Sequence, residues 1–201
     1  QDKILFSNLG LVIIDEQQRF GVDQRKKLIS DSEITPDQLV MTATPIPRTT
    51  ALSIYGDLEI STINELPPGR KPIISHLYSG LKKDNEKVFE KCSKHLDDNS
   101  QIFVVCPYIE ESESSDIQAA EKVFLEYSKK FIKYNVVLLH GKMSYEEKEK
   151  IMRSMQEGSI DILVSTVVIE VGIDIPNATL MIIESAERFG LNQLHQLRGR
   201  V

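Results

Sequence analysis

Five short, unbroken apolar runs constrain the fold more than any other feature of this chain. They are LVII (Leu11 to Ile14), IFVV (Ile102 to Val105), VVLL (Val136 to Leu139), ILV (Ile162 to Val164) and LMII (Leu180 to Ile183). None alternates with polar residues, the signature of strands whose sheet is covered by helices on both faces. Longer amphipathic stretches separate them. Leu81, Val88, Phe89, Cys92 and Leu96 fall on one helical face, and Ile117, Ala120, Phe124, Tyr127 and Phe131 on another. Ser144 with Glu147, and Ser115 with Gln118, have capping-box spacing. The order strand, helix, strand predicts an α/β fold with parallel sheets and right-handed crossovers.

A break falls at ELPPGRKP, Glu65 to Pro72. Adjacent prolines cannot donate to a sheet, and Gly69 adds a turn signal. The expected organisation is a first unit over 1–64, a linker over 65–72 and a second unit over 73–201. The second unit carries five strand candidates, counting IISHLY (Ile73 to Tyr78) as its first. The first unit has two or three and reads as half a sheet.

Composition narrows the function classes. The 201 residues are 41% hydrophobic and 27% charged, ordinary for a globular protein. No window holds the roughly 20 apolar residues that a membrane helix needs. The first ten residues lack the marks of a signal peptide and lack Met, so the chain is expected to start inside a longer protein. Cys92 and Cys106 have no Cys or His at metal spacing and read as reduced core thiols of a reducing compartment. The four histidines are scattered. Net charge is 24 − 30 = −6, which argues against a uniformly basic DNA-binding surface and makes nucleic-acid contact a local matter.

Four motifs carry chemistry. In LVIIDEQQRFG a buried strand ends in Asp15 and Glu16, where parallel sheets bind ligands. One acid suits Mg²⁺, a hard cation that prefers oxygen, and its neighbour suits the orientation of an attacking water; a pair of solvated acids is the bland alternative. In VMTATPIPRT a strand runs into Thr42 and Thr44, whose hydroxyls can bond both the acidic site and a neighbouring domain; an ordinary strand-to-helix turn fits the segment equally well. In ILVSTVVIEVGIDIP, Ser165 and Thr166 at a strand end suit phosphate oxygens, Gly172 permits close approach, and Asp174 can accept from a ribose hydroxyl; the alternative is a loop with a turn glycine. In QLHQLRGRV, Arg198 and Arg200 flank a glycine, and an arginine of one domain can stabilise charge on a phosphoryl group held by another; a basic helix face is the alternative.

Each motif is modest alone, but their order resembles the superfamily 2 helicases and most closely the RecG family. DEQQRFGVDQR is similar to that family's motif II and MTATPIPRT to its motif III. NELPPGRKP, CPYIEESE and HGKM look like RecG segments, and STVVIEVGIDIPNATLMIIESAERFGLNQLHQLRGRV resembles motifs V and VI. The resemblance covers essentially the whole chain and implies tandem RecA-like sheets flanked by helices, the first incomplete. It implies an ATP-dependent DNA helicase or translocase acting on branched double-stranded DNA, replication forks and Holliday junctions, with ATP and Mg²⁺ as cofactors. A single-stranded DNA-binding protein would be a further partner. The intact protein would be monomeric, bacterial, cytoplasmic and nucleoid-associated, with no membrane partner.

The resemblance also implies roles. Asp15 would hold Mg²⁺ through water, Glu16 would be the catalytic base, and Gln18 would stand with them. Thr42 and Thr44 would couple hydrolysis to domain movement. Gly141, Ser165 and Thr166 would lie near the DNA backbone. Glu170, Gly172 and Asp174 would lie at the interdomain cleft, Asp174 toward the nucleotide ribose; Gly172, Asp174 and Arg198 would be the nucleotide-binding residues, and Gln196 and Arg200 would reach the γ-phosphate. Gln18 departs from the histidine usual in motif II, but its amide still donates and accepts. No G-x-x-x-x-G-K-[ST] loop occurs in these residues, so they are expected to be inactive alone. Two other readings stand beside this one: a translocase like the transcription-repair coupling factor Mfd, which shares TATPIPRT and RGRV, and a RecA-like interaction module without catalysis.

Overall fold

The computed structural model describes residues 9–16, 36–42, 59–63, 65, 72–107, 113–166 and 175–201. The chain divides into two compact units, Gln1–Glu65 and Leu66–Val201.

In the first unit, β1 (Leu11–Asp15) and β2 (Asp37–Met41) run parallel, paired from Leu11 opposite Asp37 to Asp15 opposite Met41. Val12 and Ile14 are buried, whereas Leu11 and Ile13 are 54% and 57% exposed. Leu39, opposite Ile13, is exposed too. The expectation that LVII is buried throughout is therefore corrected. An unbroken apolar run does not distinguish one covered face from two, and the alternating direction of strand side chains settles it here as one.

The second unit contains α1 (Lys82–Asp97), β3 (Gln101–Val105), α2 (Glu113–Lys130), β4 (Val136–Leu139), α3 (Tyr145–Gln156), β5 (Ile162–Ser165), β6 (Ala178–Ile183), a 3₁₀ turn (Ala186–Arg188) and α4 (Leu191–Arg198). Its sheet has the order β4-β5-β3-β6, with every pairing parallel. The central strands β3 and β5 are buried at every position. Ile102, Val104, Ile162 and Val164 pack with Cys92 and Leu96 of α1, with Ala120 and Tyr127 of α2, and with Phe131 just beyond α2. Phe103 and Leu163 turn the other way, toward Met152 and Met155 of α3. Period-two strands clamped between helix layers are the parallel α/β architecture that the apolar runs predicted. Each such side chain removed from water contributes roughly 1.5–3 kcal/mol.

Side chains at the strand entries tie these layers. The Gln101 Nε2 donates to the carbonyl oxygens of Met155 (2.7 Å) and Ile160 (2.6 Å), joining the end of α3 to the entry of β5. Asn135 reaches the same entry, its Nδ2 donating to the Ser159 carbonyl at 2.6 Å.

The helix starts agree only in part with expectation. The Ser144 box is present: Ser144 Oγ accepts from Glu147 N at 3.2 Å, and Glu147 Oε2 accepts from Ser144 N at 2.8 Å. That backbone bond holds the Glu147 carboxyl below its ordinary range. Ser115, expected to cap a helix start, lies instead within the first turn of α2, which already includes Glu113. Leu81, expected on the apolar face of α1, is instead its N-cap, with extended backbone and 69% exposure. Asp84 in the first turn accepts from Ser79 N at 3.1 Å. Residues 73–78, expected as a strand, form none, and Leu77 is 93% exposed. Strand preference becomes a strand only where an edge pairs and a surface covers it. Here the Ile73 carbonyl is bonded by Arg198 Nη2 (3.4 Å) instead.

Both cysteines are free and buried, as expected. Burial pushes each thiol up to about 12, so neither is a reactive thiolate. Among the described residues no helix is long and apolar enough to cross a membrane.

Candidate functional site

Parallel sheets offer ligands the carboxyl ends of their strands, and the motif residues gather there in each unit. In the first, Asp15 is the last residue of β1, and its Oδ1 accepts from Glu16 N at 2.9 Å. Glu16 takes φ +49°, the left-handed region that costs a non-glycine residue about 1–3 kcal/mol. Both acids therefore sit at the carboxyl end of β1. Thr42 follows the end of β2, where Met41 pairs with Asp15, so its position adjoins the acids. An exposed carboxylate beside a second acid is an all-oxygen donor set that fits Mg²⁺ held through water. Among the described residues no group of three or more His, Cys, Asp or Glu could hold a metal. Gln18 and Thr44 lie outside the described residues.

In the second unit, β4 ends at Leu139, which pairs with Ser165 at the end of β5. His140 and Gly141 follow one strand and Thr166 the other, and Thr166 N donates to the Leu139 carbonyl at 3.1 Å. Ser165 and Thr166 are fully buried. Cys106 N donates to the Ser165 carbonyl at 2.8 Å, fixing the tip of β5 against that of β3. The Thr166 Oγ1 and His140 Nδ1 are buried and, among the described residues, have no hydrogen-bond partner. Orphaned buried polar atoms cost about 1–3 kcal/mol each and call for explanation. Lys148, on the first turn of α3, donates its ammonium to the Gly141 carbonyl at 2.6 Å. Gly172 and Asp174, with Glu170, lie outside the described residues.

The remaining candidates sit on or just after α4. Gln193 reaches back to Gly190 N (2.9 Å) to start this helix, and Leu197 anchors it in the interior. Gln196 and Arg200 are half-buried, and Arg200 lies in the turn that closes the helix, its N–H bonded to the Leu197 carbonyl at 3.0 Å. Arg198 is exposed, and one of its N–H groups is taken by the Ile73 carbonyl.

Four rim residues escaped the sequence reading. His140 follows an apolar run just as Asp15 does, so the strand-tip rule could have found it. Lys148 leaves no such signal, because its role depends on a turn closing back on α3. Glu184 directly follows β6, and its carboxyl is pushed upward by burial and then by the nearby Glu126. Ser185 follows in the left-handed region (φ +50°). Next along, Arg188 Nη2 meets the buried Asp116 Oδ1 at 3.3 Å.

The helicase conserved C-terminal domain matches residues 84–201, more than half of the chain. The chain belongs to the helicase conserved C-terminal domain family. Over its whole length it is 55% identical to the ATP-dependent DNA helicase RecG of Aquifex aeolicus and 50% identical to that of Synechocystis, covering 25% and 24% of those proteins. A solved structure of RecG bound to a three-way DNA junction matches the whole chain at 43% identity and a TM-score of 0.66, over 25% of its own length. The chain thus spans about a quarter of the length of the relatives it matches. These likenesses bear out the resemblance to RecG and the RecA-like sheets expected from the motifs, and the family match runs from the first turn of α1 through α4.

Proposed function

We propose that this chain is the core of an ATP-driven DNA helicase or translocase that acts on branched DNA. Whole-length similarity, at 55% identity, to a protein named ATP-dependent DNA helicase RecG carries this reading. A RecG structure bound to a three-way junction supports the choice of branched duplex as substrate. On the same reading the working protein is bacterial and cytoplasmic, with a single-stranded DNA-binding protein as a further partner.

The proposed mechanism divides between the two units. Magnesium, when bound with ATP, neutralises phosphate charge. Asp15 would hold that ion, and the bond from Glu16 N restrains its carboxylate. Glu16 accepts a proton from the attacking water. Gln18, Thr42 and Thr44 pass the change of state between units. Gln196 and Arg200 meet the γ-phosphate, Arg200 countering the charge that spreads over the transferring group. Gly172 and Asp174 border the nucleotide. Arg198, one of whose N–H groups bonds the Ile73 carbonyl, is assigned to nucleotide binding on the same reading. Gly141, Ser165 and Thr166 face the DNA backbone.

Phosphate release tests the reading. These 201 residues alone have no glycine-lysine loop to cradle phosphates and are expected to release none above blank. Joined to a segment that carries such a loop, they should hydrolyse ATP in the presence of a three-way junction. Glu16→Gln should lower that rate by about 10²–10⁴-fold without weakening DNA binding. Unchanged turnover in Glu16→Gln defeats the proposal.

A further inference from the structure

We propose that Lys148 is a positioning residue that sets the turn after β4 for contact with a nucleic-acid backbone, and that His140 completes this contact together with Thr166. The inference rests on the reading above that the Gly141 and Thr166 rim faces DNA.

Three observations converge on it. First, the turn is held from two sides: Met143 N closes it onto the His140 carbonyl at 3.2 Å, and the Lys148 ammonium grips the Gly141 carbonyl at 2.6 Å. A trans peptide is planar, so its N–H points opposite its C=O. Drawing the Gly141 oxygen toward α3 therefore aims the N–H of Lys142 away from α3, and the ammonium offsets a carbonyl dipole that would repel a phosphate. Second, just beyond the matched ends of β4 and β5 lie His140 Nδ1 and Thr166 Oγ1, both buried and, among the described residues, both without a partner. A hydroxyl and a ring N–H can both donate to one phosphate oxygen, the acceptor that a nucleic-acid backbone repeats. Third, the capping box at Ser144 fixes the start of α3, so the Lys148 stem springs from a rigid base. Its head is committed to the turn, whereas Lys142 and Lys150 are exposed and serve better for direct phosphate pairing.

The experiment titrates the 201-residue chain with a three-way DNA junction at several salt concentrations, following anisotropy and backbone amide NMR shifts. Wild-type chain is expected to show shifts at Gly141 and Thr166. Lys148→Met should weaken binding about tenfold, the lower end of what a charged hydrogen bond contributes. It should leave the salt slope unchanged and erase the Gly141 and Thr166 shifts. Lys148→Arg, which can still donate to the carbonyl, should restore most of the affinity. Lys150→Met should instead reduce the slope by about 0.9, as loss of one phosphate contact does. Unchanged affinity in Lys148→Met overturns the positioning role, and so does a slope lowered by one contact. Melting curves check folding, and Lys148→Gln replaces Lys148→Met if the latter unfolds. Absence of shifts at Gly141 and Thr166 in the wild type would instead sink the DNA-facing reading itself.

Discussion

The strands β1 and β5 look alike on paper and live in different surroundings. LVII and ILV are both short apolar runs that end in the polar residues of a motif. In β5 every residue is buried between helix layers, whereas in β1 burial alternates, with Leu11 and Ile13 open to solvent. Apolar character specifies that a strand forms, but the neighbouring layers decide how much free energy it contributes. One sheet is held by packing on both faces, and the other keeps an apolar face uncovered around a site where strain is also stored.

Breaking the core of each sheet should expose the contrast most. Ile162→Ala removes a fully buried side chain and is expected to lower stability by about 2–5 kcal/mol in denaturant unfolding followed in the second unit. Ile13→Ala, at a position more than half exposed, should change unfolding by about 0.5 kcal/mol or less. Equal losses would show that the exposed face of β1 is covered in solution. Hydrogen exchange sharpens the same point without mutation. Amides of β3 and β5 should exchange only through global opening, and those of β1 and β2 at least about a hundredfold faster through local opening. Equal protection would erase the distinction between the units.

Smaller effects test the ends of elements. Ser144→Ala should cost about 1 kcal/mol, because it removes the acceptor for Glu147 N at the start of α3. Among the described residues, Glu16 directly after β1 and Ser185 two residues after β6 are non-glycine residues in the left-handed region. Ser185→Gly should therefore stabilise the second unit by up to about 1 kcal/mol in thermal melting. Glu16→Gly should relieve similar strain and, on the proposed mechanism, abolish turnover. A destabilised Ser185→Gly would mean that the serine side chain contributes more than its backbone costs.

The smallest expected effect is a pH dependence from Glu184. Its folded carboxyl lies above the ordinary value of 4.5 because burial disfavours the charge. The native state therefore holds the proton longer than the unfolded chain does. Its contribution to stability is full below the unfolded value and is lost as pH rises through the raised folded value. Glu184→Gln should flatten that fall in stability, measured by melting across the same pH range. An unchanged profile would assign the fall to another group.

Much of the fold was legible because apolar runs mark strands wherever they lie. The acids at the tip of β1 and the hydroxyls at the tip of β5 were legible because a motif at a strand end has a fixed chemical setting. What stayed hidden depended on distant partners. Residues 73–78 have strand-like composition, yet no strand forms there and Arg198, far along the chain, takes the carbonyl of Ile73. Leu81 fits the helical period but falls one residue before the helix starts. His140 and Lys148 acquire their setting only when β4 aligns with β5 and a turn folds back on α3. No local pattern encodes that closure.

The double grip of Gln101 has a mechanical consequence. Its amide reaches the last turn of α3 and the loop entering β5 at once, through two short bonds in the interior. The helix and the strand are thereby riveted at the end of the sheet opposite the motif rim. A load applied at that rim would swing α3 and β5 together as one stiff beam rather than shear one along the other. The amide's length and two donors make Gln101 a pin whose removal would let torque dissipate within the second unit before it reached anything beyond.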